Sequence, residues 1–121
     1  MDNCLFCKIG NGNIPSKVIY EDDIVLVFLD INPNSNGHTL IIPKKHVKDI
    51  DDIDDDTYLH IFKIAKKIKS ILIEKLNCEG IQIIQNNGIC QDIKHYHLHL
   101  IPHYQKQDKL SLDEVFDKIM H

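Results

Sequence analysis

The residues with most chemistry in this chain are three histidines spaced two apart, His95, His97 and His99, which alternate with Tyr96, Leu98 and Leu100 and run into Pro102. In extended backbone, side chains at i, i+2 and i+4 share one face. The spacing predicts three imidazoles on one side of a strand and three apolar side chains in the core on the other. Imidazole is the side chain most readily poised near neutral pH for proton transfer, nucleophilic attack or metal ligation. Three readings stand open: a catalytic row, a metal site, or a polar outward face that is simply histidine-rich. Cys4 and Cys7 form a Cys-x-x-Cys pair ahead of the turn signal Gly10-Asn11-Gly12. They read as two small buried hydrophobes, as a redox pair, or as half of a closed zinc site that needs two imidazoles to complete it. The redox reading lacks the strand and helix that flank such pairs in βαβ units. Asp30 ends an apolar run and reads as a turn starter or as an acceptor for paired hydroxyls such as those of a ribose.

The elements that must position these groups follow from pattern and punctuation. Lys17 to Tyr20 and Ile24 to Leu29 read as a hairpin of strands about the turn-like Glu21-Asp22-Asp23. A loop of turn formers, Asp30 to Gly37, leads to a third strand, His38 to Pro43, which His38 and His46 bracket. Six of the eight residues from Asp49 to Asp56 are aspartate. They read as a solvated loop entering a helix, where the dipole favours negative charge, and they lack the Gly and Glu placement of a calcium loop. Ile61, Ala65, Ile68, Leu72 and Leu76 form an apolar stripe that predicts one long helix, Thr57 to Asn77. Ile81 to Gln85 is a fourth strand, the histidine stretch a fifth, and Leu112 to Met120 a short amphipathic helix. His60, His103 and His121 read as surface or edge residues. This order predicts an α+β fold in a single domain, 1–121: an antiparallel sheet of about five strands, one face covered and one open, with the long helix packed on it, a short N-terminal segment and a C-terminal helix.

Composition sets outer bounds. The chain has 121 residues, 43% hydrophobic and 26% charged, enough to bury roughly two-thirds of its unfolded surface. Its net charge is −4 and it contains no arginine, which argues against a nucleic-acid partner. Its longest apolar runs fall far short of the ~20 residues of a membrane span. The start, Met-Asp-Asn-Cys-Leu-Phe-Cys-Lys, shows no basic segment followed by an apolar one, so the four cysteines predict reduced thiols and a cytoplasmic location.

Taken together, the chain resembles the histidine triad superfamily, in its branch of small nucleotide-binding phosphoramidases. The resemblance runs from Cys4 to about Tyr104. It is carried by Cys-x-x-Cys-Lys-Ile, Ile14-Pro15-Ser16-Lys17, Glu21-Asp22-Asp23, Phe28-Leu29-Asp30-Ile31, Gly37-His38-Thr39-Leu40, Ile42-Pro43-Lys44-Lys45-His46 and the final His-x-His-x-His run. It implies hydrolysis of purine nucleoside phosphoramidates or related nucleotides, such as acyl-adenylates, through a nucleotidyl-histidine on His97, with His99 and His38 as donors to phosphate. No metal is needed for that chemistry. It also implies Asp30 on the ribose hydroxyls, Ile14, Phe28 and Ile31 about the base, and Asn86 with the following loop near the phosphate. A homodimer is implied as well. A zinc-carrying subset implies structural Zn2+ on Cys4, Cys7, His46 and His95. Rival readings are a dinucleoside polyphosphate hydrolase and a low-turnover nucleotide-binding regulator.

One loop departs from the family pattern. Asn86-Asn87-Gly88-Ile89-Cys90-Gln91-Asp92-Ile93-Lys94 is about two residues shorter than usual, Cys90 replaces a glycine, and Asp92 stands where a hydroxyl or amide normally donates to phosphate or leaving group. At ~4 Å and an effective dielectric near 20, two like charges cost about 4 kcal/mol before screening. Turnover of a plain adenosine phosphoramidate is therefore expected to be slower than in typical members and to rise in Asp92→Ser, which a comparison of kcat/KM checks.

Overall fold

The computed structural model describes residues 3–121. Its elements run α1 (Leu5–Gly10), β1 (Val18–Glu21), β2 (Val25–Leu29), β3 (Thr39–Pro43), α2 (Asp55–Leu76), β4 (Gly80–Gln85), β5 (Leu98–His103) and α3 (Leu112–Met120), with a 3-10 turn at Gly88–Cys90. The strands form an antiparallel sheet in the order β1-β2-β3-β5-β4, and the fold is α+β. Among the described residues, no helix is long and apolar enough to cross a membrane.

Period-two alternation sorts side chains between two cores. Val25, Val27, Leu29, Ile41, Leu98 and Leu100 pack beneath α2 with its stripe Ile61, Ile64, Ala65, Ile68 and Leu72. Leu26, Phe28, Leu40 and Ile42 face the other way and meet Phe6 of α1. The second face of the sheet is thus not open as the alternation predicts. The short N-terminal segment is a helix that lies over it, with the Phe6 ring 5.7 Å from that of Phe28 in an edge-on contact. Every residue of β2 and β3 is consequently buried. A six-residue helix is too short to show a period in the sequence.

Helix ends follow local chemistry. Asp54 caps α2 by accepting from the Thr57 amide at 3.2 Å and the Thr57 hydroxyl at 2.7 Å, and Asn77 closes it at φ 55, a left-handed conformation that asparagine tolerates. Ser111 and Glu114 form a reciprocal capping box on α3, which lays Val115 and Ile119 in the main core. The triad strand starts later than predicted, at Leu98 rather than His95. β3 offers partners only as far as Ile41, opposite Leu98, and the Tyr96 amide donates instead to Val47 O at 2.7 Å. Pro102 lies past the last β3 partner, where its missing N–H breaks no ladder on that side.

Asp22 locks the β1–β2 hairpin to the long helix. One carboxylate oxygen accepts from the Ile24 and Val25 amides, both at 2.8 Å; the other accepts from the Tyr20 hydroxyl at 2.8 Å and lies 2.6 Å from His60 Nε2 on α2. Burial alone would raise its pKa, but these donors outweigh burial and hold the carboxyl well below the usual range. The stabilisation is therefore whole above about pH 4 and is lost as the pH falls below that value. Asp22→Asn is expected to cost about 1–2 kcal/mol near neutral pH, in denaturant melts, with the gap to the parent narrowing as the solution is acidified towards about pH 3.

Candidate active site and metal centre

The histidine stretch serves two sites on one face of the sheet. At its start, His95 is fully buried. Its Nε2 donates to Pro43 O at 2.8 Å, which leaves a lone pair on Nδ1, 3.3 Å from Cys4 Sγ and 3.5 Å from Cys7 Sγ. His46 brings its Nδ1 to 3.2 Å from Cys7 Sγ. Cys4 reaches this point as the N-cap of α1, its sulfur accepting from the Cys7 amide at 3.4 Å. Ligand atoms of Cys4, Cys7, His46 and His95 all lie within 4.8 Å of one another. Tetrahedral zinc with its usual bond lengths separates sulfur and nitrogen ligands by about 3.5 Å, so these four groups already stand at the spacing a metal would require. The backbone carbonyl behind His95 orients the ring as carbonyls do behind metal-bound imidazoles. Burial, with smaller contributions from His46 and His97 and against the opposing bond to Pro43 O, lowers His95 to about 4, so the ring is a neutral ligand at pH 7. Burial and the adjacent Cys4 push the Cys7 thiol up to about 11, a cost that a bound cation would remove. These four side chains could hold a metal.

Two residues on, His97 turns into a cleft of about 300 Å³. Leu5, Phe6 and Ile9 of α1, Ile14 to Ser16, Phe28 to Asn32, Asn34, His38, Leu40, Asp92, Ile93, His97 and His99 line it. Of the residues singled out in the sequence, Ile14, Phe28, Asp30, Ile31, His38, Asp92, His97 and His99 come together here. Asn86 is not among them; its carbonyl accepts from the Gln85 side chain at 2.8 Å. Phe6, which carried no signal in the sequence, forms the floor, its ring 4.9 Å from that of His97 and edge-on to it.

A neutral imidazole has one N–H and one lone pair, and partners reveal which nitrogen holds which. His97 Nδ1 donates to His95 O at 2.7 Å, so its Nε2 carries the lone pair. The Asn34 amide donates to His38 Nδ1 at 3.0 Å, so the proton of His38 is on Nε2, which donates to His99 Nδ1 at 2.9 Å. His99 is left with Nε2–H as its donor to the cleft. Burial lowers the pKa of His38 and brings that of His99 down to about 4, with neighbouring histidines adding to the effect at both, so these two rings are neutral at pH 7. The sequence reading assigns His38 directly to phosphate. In the structure its single proton goes to His99, and Asp30 Oδ2 stands 3.6 Å from the same nitrogen. Asp30 also accepts from the Asn32 amide at 2.9 Å through its other oxygen.

Geometry and sequence then agree with known proteins. The HIT domain family matches residues 11–106, and the chain belongs to this histidine triad family. An uncharacterised HIT-like protein of Methanocaldococcus jannaschii is 44% identical, over 96% of this chain and 98% of its own. An adenosine 5'-monophosphoramidase of Schizosaccharomyces pombe is 37% identical, over 83% of this chain and 74% of its own. The crystal structure of a zinc-bound histidine triad family protein from Mycobacterium smegmatis superposes with a TM-score of 0.90 at 31% identity, covering 98% of this chain and 91% of that one.

The proton assignments are open to direct measurement. Ring nitrogen chemical shifts of labelled protein near pH 7 are expected to show His97 protonated at Nδ1, and His38 and His99 protonated at Nε2.

Proposed function

We propose that this protein hydrolyses purine nucleoside phosphoramidates or related nucleotides such as acyl-adenylates through a nucleotide covalently held on His97. The observation that carries the reading is the proton inventory of the cleft, which leaves one lone pair, on His97 Nε2, beside one N–H, on His99 Nε2. A nucleophile with its tautomer fixed by a backbone carbonyl and a donor placed for phosphate oxygen are what phosphoryl transfer asks of a protein. His97 Nε2 bonds to the α-phosphorus, and the P–N bond to the leaving amine breaks. The bonding pair leaves on the amine nitrogen, which takes up a proton from solvent, and the water consumed in the second step returns one. Water then adds to phosphorus, the P–Nε2 bond breaks, and nucleoside monophosphate leaves. Ile14, Phe28 and Ile31 hold the base, Asp30 the ribose hydroxyls. His38 acts through His99 by keeping its N–H turned to the phosphate. The relationship to yeast adenosine 5'-monophosphoramidase supports the same reaction.

Structural zinc on Cys4, Cys7, His46 and His95 belongs to this reading, supported by the spacing of the four ligand atoms and by the zinc-bound relative. The ion would pin α1, and with it Phe6, in the wall of the cleft. Pairing of two copies also belongs to it. β4 is an edge strand, and Ile83 on it and Leu59 and Ile73 on α2 are exposed apolar side chains of the kind a partner copy covers. One observation favours a low-turnover nucleotide-binding regulator instead: Asp92 Oδ1 lies 3.4 Å from His97 Nε2.

His97→Ala is expected to lower kcat on adenosine phosphoramidates on the order of 10⁴-fold with little change in AMP affinity, and rapid quench of the parent to trap labelled nucleotide on His97. Nucleotide bound by the parent with no monophosphate released would favour the regulator. Protein purified without added metal is expected to hold about one zinc per chain, and Cys4→Ser/Cys7→Ser to lose it with a fall in Tm.

A further inference from the structure

We infer that Asp92 makes this cleft selective for nucleotides whose leaving amine carries a second, positively charged amine on a short tether. The inference rests on the phosphoramidase reading above and names its substrate class.

The charges around the cleft point this way. Its lining contains two carboxylates, Asp30 and Asp92, and neither lysine nor arginine. The rings run His38, His99, His97, with centroids 5.2 Å and then 4.8 Å apart. Asp30 Oδ2 stands 3.6 Å from His38 Nε2, beside the contact of that nitrogen with His99, and Asp92 Oδ1 stands 3.4 Å from His97 Nε2, so each carboxylate faces a different part of the row. Asp30 is engaged by the Asn32 amide and by the side of the row assigned to ribose. Asp92 Oδ1 likewise accepts from a neighbouring amide, that of Ile93 at 2.9 Å, but among the described residues no lysine pairs with its carboxylate. The nearby Lys94 turns its ammonium to Gly88 O at 2.5 Å and Gln91 O at 3.2 Å rather than to Asp92. Among the described residues, His97 is the one basic side chain within ion-pair distance of Asp92, and its Nε2 presents a lone pair. A nucleotide phosphate entering here adds negative charge to a site that has no fixed positive charge of its own. A cation carried by the substrate would compensate it.

The leaving amine departs on the side of phosphorus away from His97, so a charge on the reacting nitrogen itself would not reach Asp92. A charge on a short flexible tether can fold back to it. The Asp92 side chain is 76% exposed, at the mouth of the cleft, with room for a solvated ammonium beside it. Exposure also limits the effect, which is expected at about three- to fivefold in kcat/KM.

The test compares adenosine 5'-phosphoramidates of singly protonated ethylenediamine and of propylamine, which are alike in shape and differ in the distal charge. Their intrinsic reactivities also differ, so the quantity to read is the ratio of the two kcat/KM values in the parent divided by the same ratio in Asp92→Asn. That quotient is expected to be about three to five at low ionic strength and to shrink with added salt, as a screened charge interaction must. Asp92→Glu is expected to keep the parent's preference, which separates charge from loop shape. Turnover of both compounds with a quotient near one would overturn the inference and leave the phosphoramidase reading standing. Turnover of neither compound by the parent would overturn both.

Discussion

Each neutral imidazole has a single N–H to give, and backbone contacts fix where those of His95, His97 and His38 go. Pro43 O takes the proton of His95, His95 O takes that of His97, and the Asn34 amide denies Nδ1 of His38 any proton. From these three backbone contacts the remaining assignments follow, including the lone pair of His97 and the N–H of His99. Backbone groups are hard to displace in a packed sheet, so the tautomers are held by the same forces that hold the fold. Burial removes the competing possibility of charged rings for His38, His95 and His99.

That dependence explains why both faces of the sheet need cover. The α2 side supplies the apolar mass, with Leu98 and Leu100 anchoring the triad segment from behind. On the other side Phe6 lies edge-on to both His95 and His97, at 6.0 Å and 4.9 Å between ring centroids. It packs against the rings as part of the cleft lining. Cys4 and Cys7 flank Phe6 in sequence, so a metal held by these thiols would fix the helix that carries this ring.

Much of this was legible in the residues. The alternation of His95 to Leu100 told which side chains face the core and which face the cleft, and the stripe from Ile61 to Leu72 located the long helix against the sheet. Asp30, Ile31 and Phe28 could be grouped because they are adjacent in the chain. What stayed hidden depends on contacts between distant residues. Nothing local to Tyr96 reveals that its amide bonds to Val47 O and so delays the start of β5 until Leu98. Nothing local to His38 reveals that its Nε2 meets His99, 61 residues away. Helix α1 was missed because six residues are too few for a period, and Asn86 fell outside the cleft because its loop turns at Gly88–Cys90 in a way spacing does not encode.

Asn36 carries a consequence for how the chain is made. It is nearly buried, and its polar groups are met from the far end of the sequence: its amide donates to Gln107 Oε1 at 3.2 Å, its side chain donates to Asp108 O at 2.7 Å and accepts from the Leu110 amide at 3.0 Å, and its carbonyl accepts from the Tyr104 hydroxyl at 2.7 Å. On a ribosome, the loop that orients His38 emerges some seventy residues before the segment that satisfies it. Until residues 104–110 arrive, the polar groups of Asn36 have water for their partners. The loop beside His38 therefore gains its full set of partners only when the chain is nearly complete.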